Sequence, residues 1–342
     1  MNGFAKIVAL VALTMAMVPS ALAQSTSNDA TRLSGMLGLE AADKLITLLA
    51  KSCPLADAAD QAAFDTCRQA LFRSEVPPTI FARRILWGAP KGKFAEWRLP
   101  LTSFDERVFT ALYLPLFMFN GNYQLERKDN ESFIIVHVAA AFRNRLAPGQ
   151  FPYPFWHQPE KWQAYQATNE LVFYIDPAEY RVWYALRANN PEQPRLAAKV
   201  EAVTPPAFNG EWMWTDEHGK TQPAVTLFDG LLSPENPNRL LLDATYKDFA
   251  LELRGQSCTS CHAPDNARKM NPLVLLQTPA HALGEISRIQ TMVAAGKMPL
   301  QEWGAAKPLP EAERLKFLAA AKAFGDAGAL ALGWEKTKAA PK

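Results

Sequence analysis

Cys258-Thr259-Ser260-Cys261-His262 is the stretch on which the reading of this 342-residue chain turns. Two thiols three positions apart can add to the two vinyl groups on one edge of a porphyrin. The histidine directly after the second thiol then falls under the iron as an axial ligand. A Cys-x-x-Cys pair alone also suits a redox dithiol or half a zinc site, and the adjacent His262 is what separates these. One haem c per chain, bound through Cys258 and Cys261 with His262 on the iron, is therefore the expected cofactor.

The other end of the chain bears on that expectation, because covalent haem attachment in bacteria takes place outside the cytoplasmic membrane. Residues 1–23 read as a secretory signal: Lys6, an apolar run over 7–18, then Ala21-Leu22-Ala23 before Gln24. The run is too short to span a bilayer, and no cysteine follows it to accept lipid. The expected location is the periplasm. Removing 1–23 takes away Lys6 and no acid from a chain of net charge +2. The near-neutral remainder argues against nucleic-acid binding or a polybasic membrane patch. The longest later apolar run, 109–119, is interrupted by Pro115 and reads as buried core, so no integral membrane segment is expected. Of the four cysteines, Cys53 and Cys67 are left over. An even pair in an oxidising compartment favours a disulfide over two buried free thiols. A closed loop of that length is worth about 3 kcal/mol.

The length exceeds one small cytochrome, so two domains are expected. Residues 36–75 predict two helices, the first with Leu39, Ala42, Leu45 and Leu49 as its apolar stripe. Glycines and prolines crowd 77–100. Residues 133–138 read as a strand and 159–169 as a helix. The runs 171–175 and 180–184 flank Asp176-Pro177 as a hairpin. Trp212-Met213-Trp214 and 224–228 suggest a second hairpin. The fold class is thus an α+β N-terminal domain over 24–231, a Pro- and Asn-rich linker over 232–239, and an all-α domain over 240–335. A disordered Ala/Lys/Pro tail is expected over 336–342.

In the helical part, Tyr246, Phe249, Ala250 and Leu253 share one helix face running straight into the cysteine motif. Asn271-Pro272-Leu273 follows ten residues after His262. Thr278-Pro279 reads as a helix start and Gly296 as its stop, with Ile286, Ile289 and Val293 on one face. Lys297-Met298-Pro299 comes next. Pro310-Glu311 opens a last helix, with Leu315, Leu318 and Ala319 on one face and Phe317 and Phe324 on another. This order of elements resembles the class I, or mitochondrial-type, cytochrome c family over roughly the last hundred residues. The resemblance implies a class I fold, Met298 as the distal iron ligand, and Pro272 as the residue whose carbonyl receives the ring N–H of His262. The interval from His262 to Met298 is short for the family, which implies a compact distal loop. Met270 is assigned to the proximal loop, and His281 to the first turn of a helix, exposed or packed there.

The larger N-terminal part carries no P-loop, Gly-x-Gly-x-x-Gly, His-Glu-x-x-His or Gly-x-Ser-x-Gly. Phe151-Pro152-Tyr153-Pro154-Phe155-Trp156-His157, followed by Trp162 and Tyr165, reads as aromatics plugging a core, with a pocket wall as the other use. His137 is expected to be structural and His218 solvated. Glu131, Arg143 and Arg145 read as surface charges. The leading expectation is an exported electron carrier that passes single electrons between redox partner proteins. A haem c-dependent oxidoreductase with a small-molecule site in the N-terminal domain, or a haem-based sensor, is the alternative.

Overall fold

Asp176 reverses the chain where the sequence predicts a turn: its Oδ1 accepts from the backbone N–H of Ala178 at 2.6 Å and of Glu179 at 3.3 Å. The turn joins β5 (Glu170–Asp176) to β6 (Arg181–Ala188), antiparallel, with Phe173 opposite Ala185. The structure is a computed structural model that describes residues 21–89, 102–126, 133–146, 159–196, 228, 230–256, 258–262, 279–301 and 304–339.

Around that hairpin stands a six-stranded mixed sheet in the order β2-β1-β6-β5-β4-β3. Its other strands are β1 (Phe81–Gly88), β2 (Thr102–Asp105), β3 (Phe117–Glu126) and β4 (Ile134–Phe142). Only β1 and β6 run parallel. Side chains alternate across the sheet. Val136, Val138, Ala140 and Phe142 of β4 enter the main core, while Ile135 joins Val172, Tyr174, Tyr184 and Leu186 on the other face. The sequence reading anticipated β4 to β6 but not β1, β2 or β3. Arg83-Arg84 interrupts the apolar alternation of β1, and β6, its parallel neighbour, lies about a hundred residues on.

Helices α1 (Ala21–Ser52) and α2 (Gln61–Arg73) realise the two predicted over 36–75. The expected signal lies outside the described residues except for 21–23, which form the first turn of α1. Asp60 caps α2 by accepting from Ala63 N–H at 2.9 Å. The Cys53–Cys67 disulfide, with Cα atoms 4.6 Å apart, ties α1 to α2 beneath the sheet. Two single-turn helices, α3 (Pro77–Ile80) and α4 (Glu106–Val108), bracket the first two strands. Residues 109–116 continue α4 as a π-helical and then a 3-10 turn, and all of 109–119 is buried, as read from the sequence. α5 (Pro159–Gln166) precedes β5.

After the sheet the chain is helical: α6 (Arg239–Gly255), α7 (Thr259–His262), α8 (Pro279–Ala294) and α9 (Glu311–Ala339). The molecule is α+β overall with a helical C-terminal part. One continuous apolar core runs through both parts. Residues 232–239 are packed chain. Leu232 is buried, and Asn236 Nδ2 donates to Ala331 O and to Glu335 Oε1, each at 3.0 Å. Glu335 also pairs with Arg73 Nε of α2 at 3.1 Å. α9 carries helix through 339, so the first residues of the expected tail are ordered. Among the described residues no helix is long and apolar enough to cross a membrane.

Candidate functional site

The site is built at the C-terminal end of α6. Tyr246, Phe249, Ala250 and Leu253 are all buried, as the helical spacing predicts. Phe249 stacks on Phe324 of α9 with ring centroids 5.6 Å apart, and meets Phe317 at the same separation. The buried stripe of α9 is Phe317, Ala321, Phe324, Ala327 and Ala331. Leu315, expected to share a core face, is instead exposed, because α6 and α8 approach the aromatic side of that helix.

With α6 anchored, the chain kinks and starts a new turn. Cys258 N–H donates back to Leu253 O at 3.0 Å. Cys261 and His262 N–H then donate to Cys258 O at 3.2 and 2.8 Å. Cys258 and Cys261 are thus i,i+3 neighbours on one turn, and His262 follows directly. Neither thiol is in a disulfide, and both are half-buried. Burial pushes the Cys258 thiol up to about 11, and the neighbouring Cys261 adds to the rise.

α8 also packs on α9. Leu283 packs where Gly328 leaves room, and Ile286 lies against Gly325. Ile289 and Val293 of the predicted stripe are buried. The stop at Gly296 is a Schellman motif: Lys297 N–H donates to Met292 O at 2.9 Å and Gly296 N–H to Val293 O at 3.0 Å, with φ +65° at Gly296. Two residues later Met298 packs, half-buried, against the same core as Cys258.

The opposite end of α8 holds His281 together with Glu285 and Arg84, two charges that sequence reasoning missed. Of the two alternatives for His281, exposed or packed in the first turn, the packed one holds: it is buried, with its ring edge-on to Phe104 at 5.4 Å. Burial pushes its pKa down to about 4; Glu285 opposes this, and the charges of Arg84 and His262 reinforce it. The imidazole is therefore neutral, and its Nε2 has no hydrogen-bond partner. Glu285, one turn on, is buried and gripped by Arg84 in a two-pronged pair at 3.1 Å per prong. It also accepts Asp105 N–H at 2.9 Å. The i,i+4 spacing of His281 and Glu285 was visible in the sequence, but Arg84 lies some two hundred residues away on β1.

Pro272, Met270, His157, His218, Glu131, the aromatic stretch 151–157 and the hairpin expected over 212–228 lie outside the described residues, Phe228 excepted. Tyr165 is buried core, accepting from Trp87 Nε1 at 2.7 Å, as the core reading of the aromatics holds. Arg145 is a surface charge paired with Asp57. Arg143 is not. It is fully buried, Nε donates to Pro115 O at 3.2 Å, and burial lowers its pKa to about 10. The main core closes over Arg143 at the end of β4, which residue type alone did not reveal. His137 is half-buried between two carboxylates, with Nδ1 3.3 Å from Glu170 and Nε2 3.1 Å from Glu126.

Among the described residues no cluster of three or more His, Cys, Asp or Glu side chains is arranged to hold a metal ion. The residue types at the α6–α7 turn fit a covalently held haem: two thiols that form no disulfide on one turn, with His262 next in sequence. No protein-family model, curated protein or solved structure matches the chain.

Proposed function

We propose that the chain is an exported monohaem c-type cytochrome that carries single electrons between periplasmic redox partner proteins. Cys258 and Cys261 hold haem c by thioether bonds, and His262 and Met298 are the axial ligands, within a C-terminal part of class I type. When bound, the haem supplies a one-electron couple, and a thioether ligand favours its ferrous form and raises its potential. The observation that carries this reading is the α7 turn, which sets two half-buried thiols that form no disulfide one helical turn apart, with His262 adjoining.

The chain's own residues do the rest by position. The aromatic contacts of α6 with α9 hold the turn rigid against the core. The Schellman stop ends α8 sharply and hands Met298 to the same core. A helix rises 1.5 Å per residue, so His281 and Ala294 stand about 20 Å apart along α8.

The test is chemical. Acid denaturation and organic extraction of the exported protein leave the red pigment on the polypeptide; pigment that leaves with the solvent, or none at all, refutes covalent attachment. The ferric protein shows the weak near-infrared sulfur-to-iron band, and Met298→Ala removes it and lowers the reduction potential. A band that survives Met298→Ala assigns the ligand elsewhere.

A further inference from the structure

Arg143 follows β4 with no exposed surface, yet among the described residues its side chain makes one hydrogen bond, from Nε to Pro115 O at 3.2 Å. Nη1 and Nη2 are buried too, and neither has a partner. Burial lowers its pKa only to about 10, so the guanidinium is charged at neutral pH. Four N–H donors and a full positive charge thus stand out of water with no counter-charge bonded to them, a cost that folded proteins avoid by pairing. Water fills hydrogen bonds but leaves the charge unbalanced. We infer that Arg143 anchors a binding site for a small monocarboxylate, whose two oxygens take the two terminal nitrogens. One negative charge balances the one positive charge, and the planar fork of a guanidinium matches a planar carboxylate in a two-pronged pair. A phosphate dianion would bring a surplus charge into a buried place. The inference does not rest on the haem reading above.

The carboxylates nearby are engaged elsewhere. Asp57 accepts from Arg145 Nη2 at 3.2 and 3.3 Å and from the Ala59 N–H at 2.8 Å. Asp60, whose charge acts on Arg143, is exposed and spends its Oδ1 on capping α2. The next residue, Gln61, adds another buried donor without a partner, its Nε2. What is lacking here is an acceptor. The fold also holds Arg143 in place. Its N–H donates to Leu116 O at 2.8 Å, and Pro115 O, which receives its Nε, lies 3.9 Å from Cys67 Sγ of the disulfide that ties α1 to α2. A guanidinium fixed in this way loses little freedom when a ligand arrives. Arg145, two residues on, is exposed with its partner Asp57, so the chain reaches the surface close to Arg143 and a small ligand has a short route in.

The full-length protein, dialysed into chloride buffer, tests this as sodium acetate replaces sodium chloride at constant ionic strength. Acetate should stabilise the native protein, shifting its unfolding equilibrium about 100-fold once acetate stands at about 100 times its dissociation constant. Arg143→Met removes the charge and keeps an unbranched apolar stem, and it should lose that response. Inorganic phosphate in place of acetate should give no such shift. Three results overturn the inference: no acetate effect on the native protein, an equal effect on Arg143→Met, or an effect of phosphate without one of acetate. Where Arg143→Met fails to fold, NMR of the native protein labelled with 15N-arginine decides. The Arg143 guanidinium signals should move as acetate is added, and signals that stay in place overturn the site.

Discussion

His137 illustrates how a single residue ties this fold to pH. It bridges Glu126 of β3 and Glu170 of β5, and the hydrogen bond to Glu170 is the main cause of a pKa above the ordinary histidine value. Burial opposes the rise and Glu126 adds to it. A raised folded-state pKa contributes stability in full below about pH 6.5 and loses it as pH climbs through the folded value. The gap in thermal midpoint between the native protein and His137→Gln should therefore be widest below about pH 6 and close at alkaline pH. It should correspond to about 1 kcal/mol at most, because the pair is half-exposed. A gap constant with pH means the imidazolium is not what stabilises. Asp105 and Glu106, raised by burial to about 6 and about 7, act in the same direction. His281, depressed to about 4, acts oppositely and costs stability as pH falls from about 6.5 toward 4.

At the scale of elements, the junction that matters is the end of α8. Gly296 sits at φ +65° in the Schellman turn, a region where a side chain costs about 1–2 kcal/mol. Gly255 closes α6 in ordinary helical backbone, with open space around its missing Cβ. Gly296→Ala should thus lower the denaturant unfolding free energy by about 1–2 kcal/mol, whereas Gly255→Ala should raise it by about 0.4–1 kcal/mol. Equal effects at the two positions contradict the left-handed stop. The Gly296 stop was legible in the sequence because a helix end is a local event, decided within a few residues. The face that α9 turns inward was not. Its sequence offers two apolar stripes, and only packing against α6 and α8 selects Phe317 and Phe324 over Leu315.

At the scale of the whole molecule, the apolar core passes without a break from the sheet to the C-terminal helices. Arg73 with Glu335, and Arg84 with Glu285, cross the junction as ion pairs whose carboxylates are buried. Breaking such a pair costs about 3–5 kcal/mol, so the two parts are energetically coupled. Calorimetry should accordingly show a single cooperative transition, and two well-separated transitions would refute the coupling. Replacing Cys53 and Cys67 together by Ala should lower stability by about 3 kcal/mol and leave that transition single.

What the sequence by itself determined is local. The hairpin about Asp176, the capped helices, the Gly296 stop and the Cys258-to-His262 spacing each depend on residues within one or two turns of one another. The tertiary structure alone decided the parallel pairing of β1 with β6, the burial of Arg143 and the meeting of His281, Glu285 and Arg84. Those outcomes depend on segments one to two hundred residues apart. Their contact energies appear only when the chain closes on itself, and no periodicity or composition near any one of them records that.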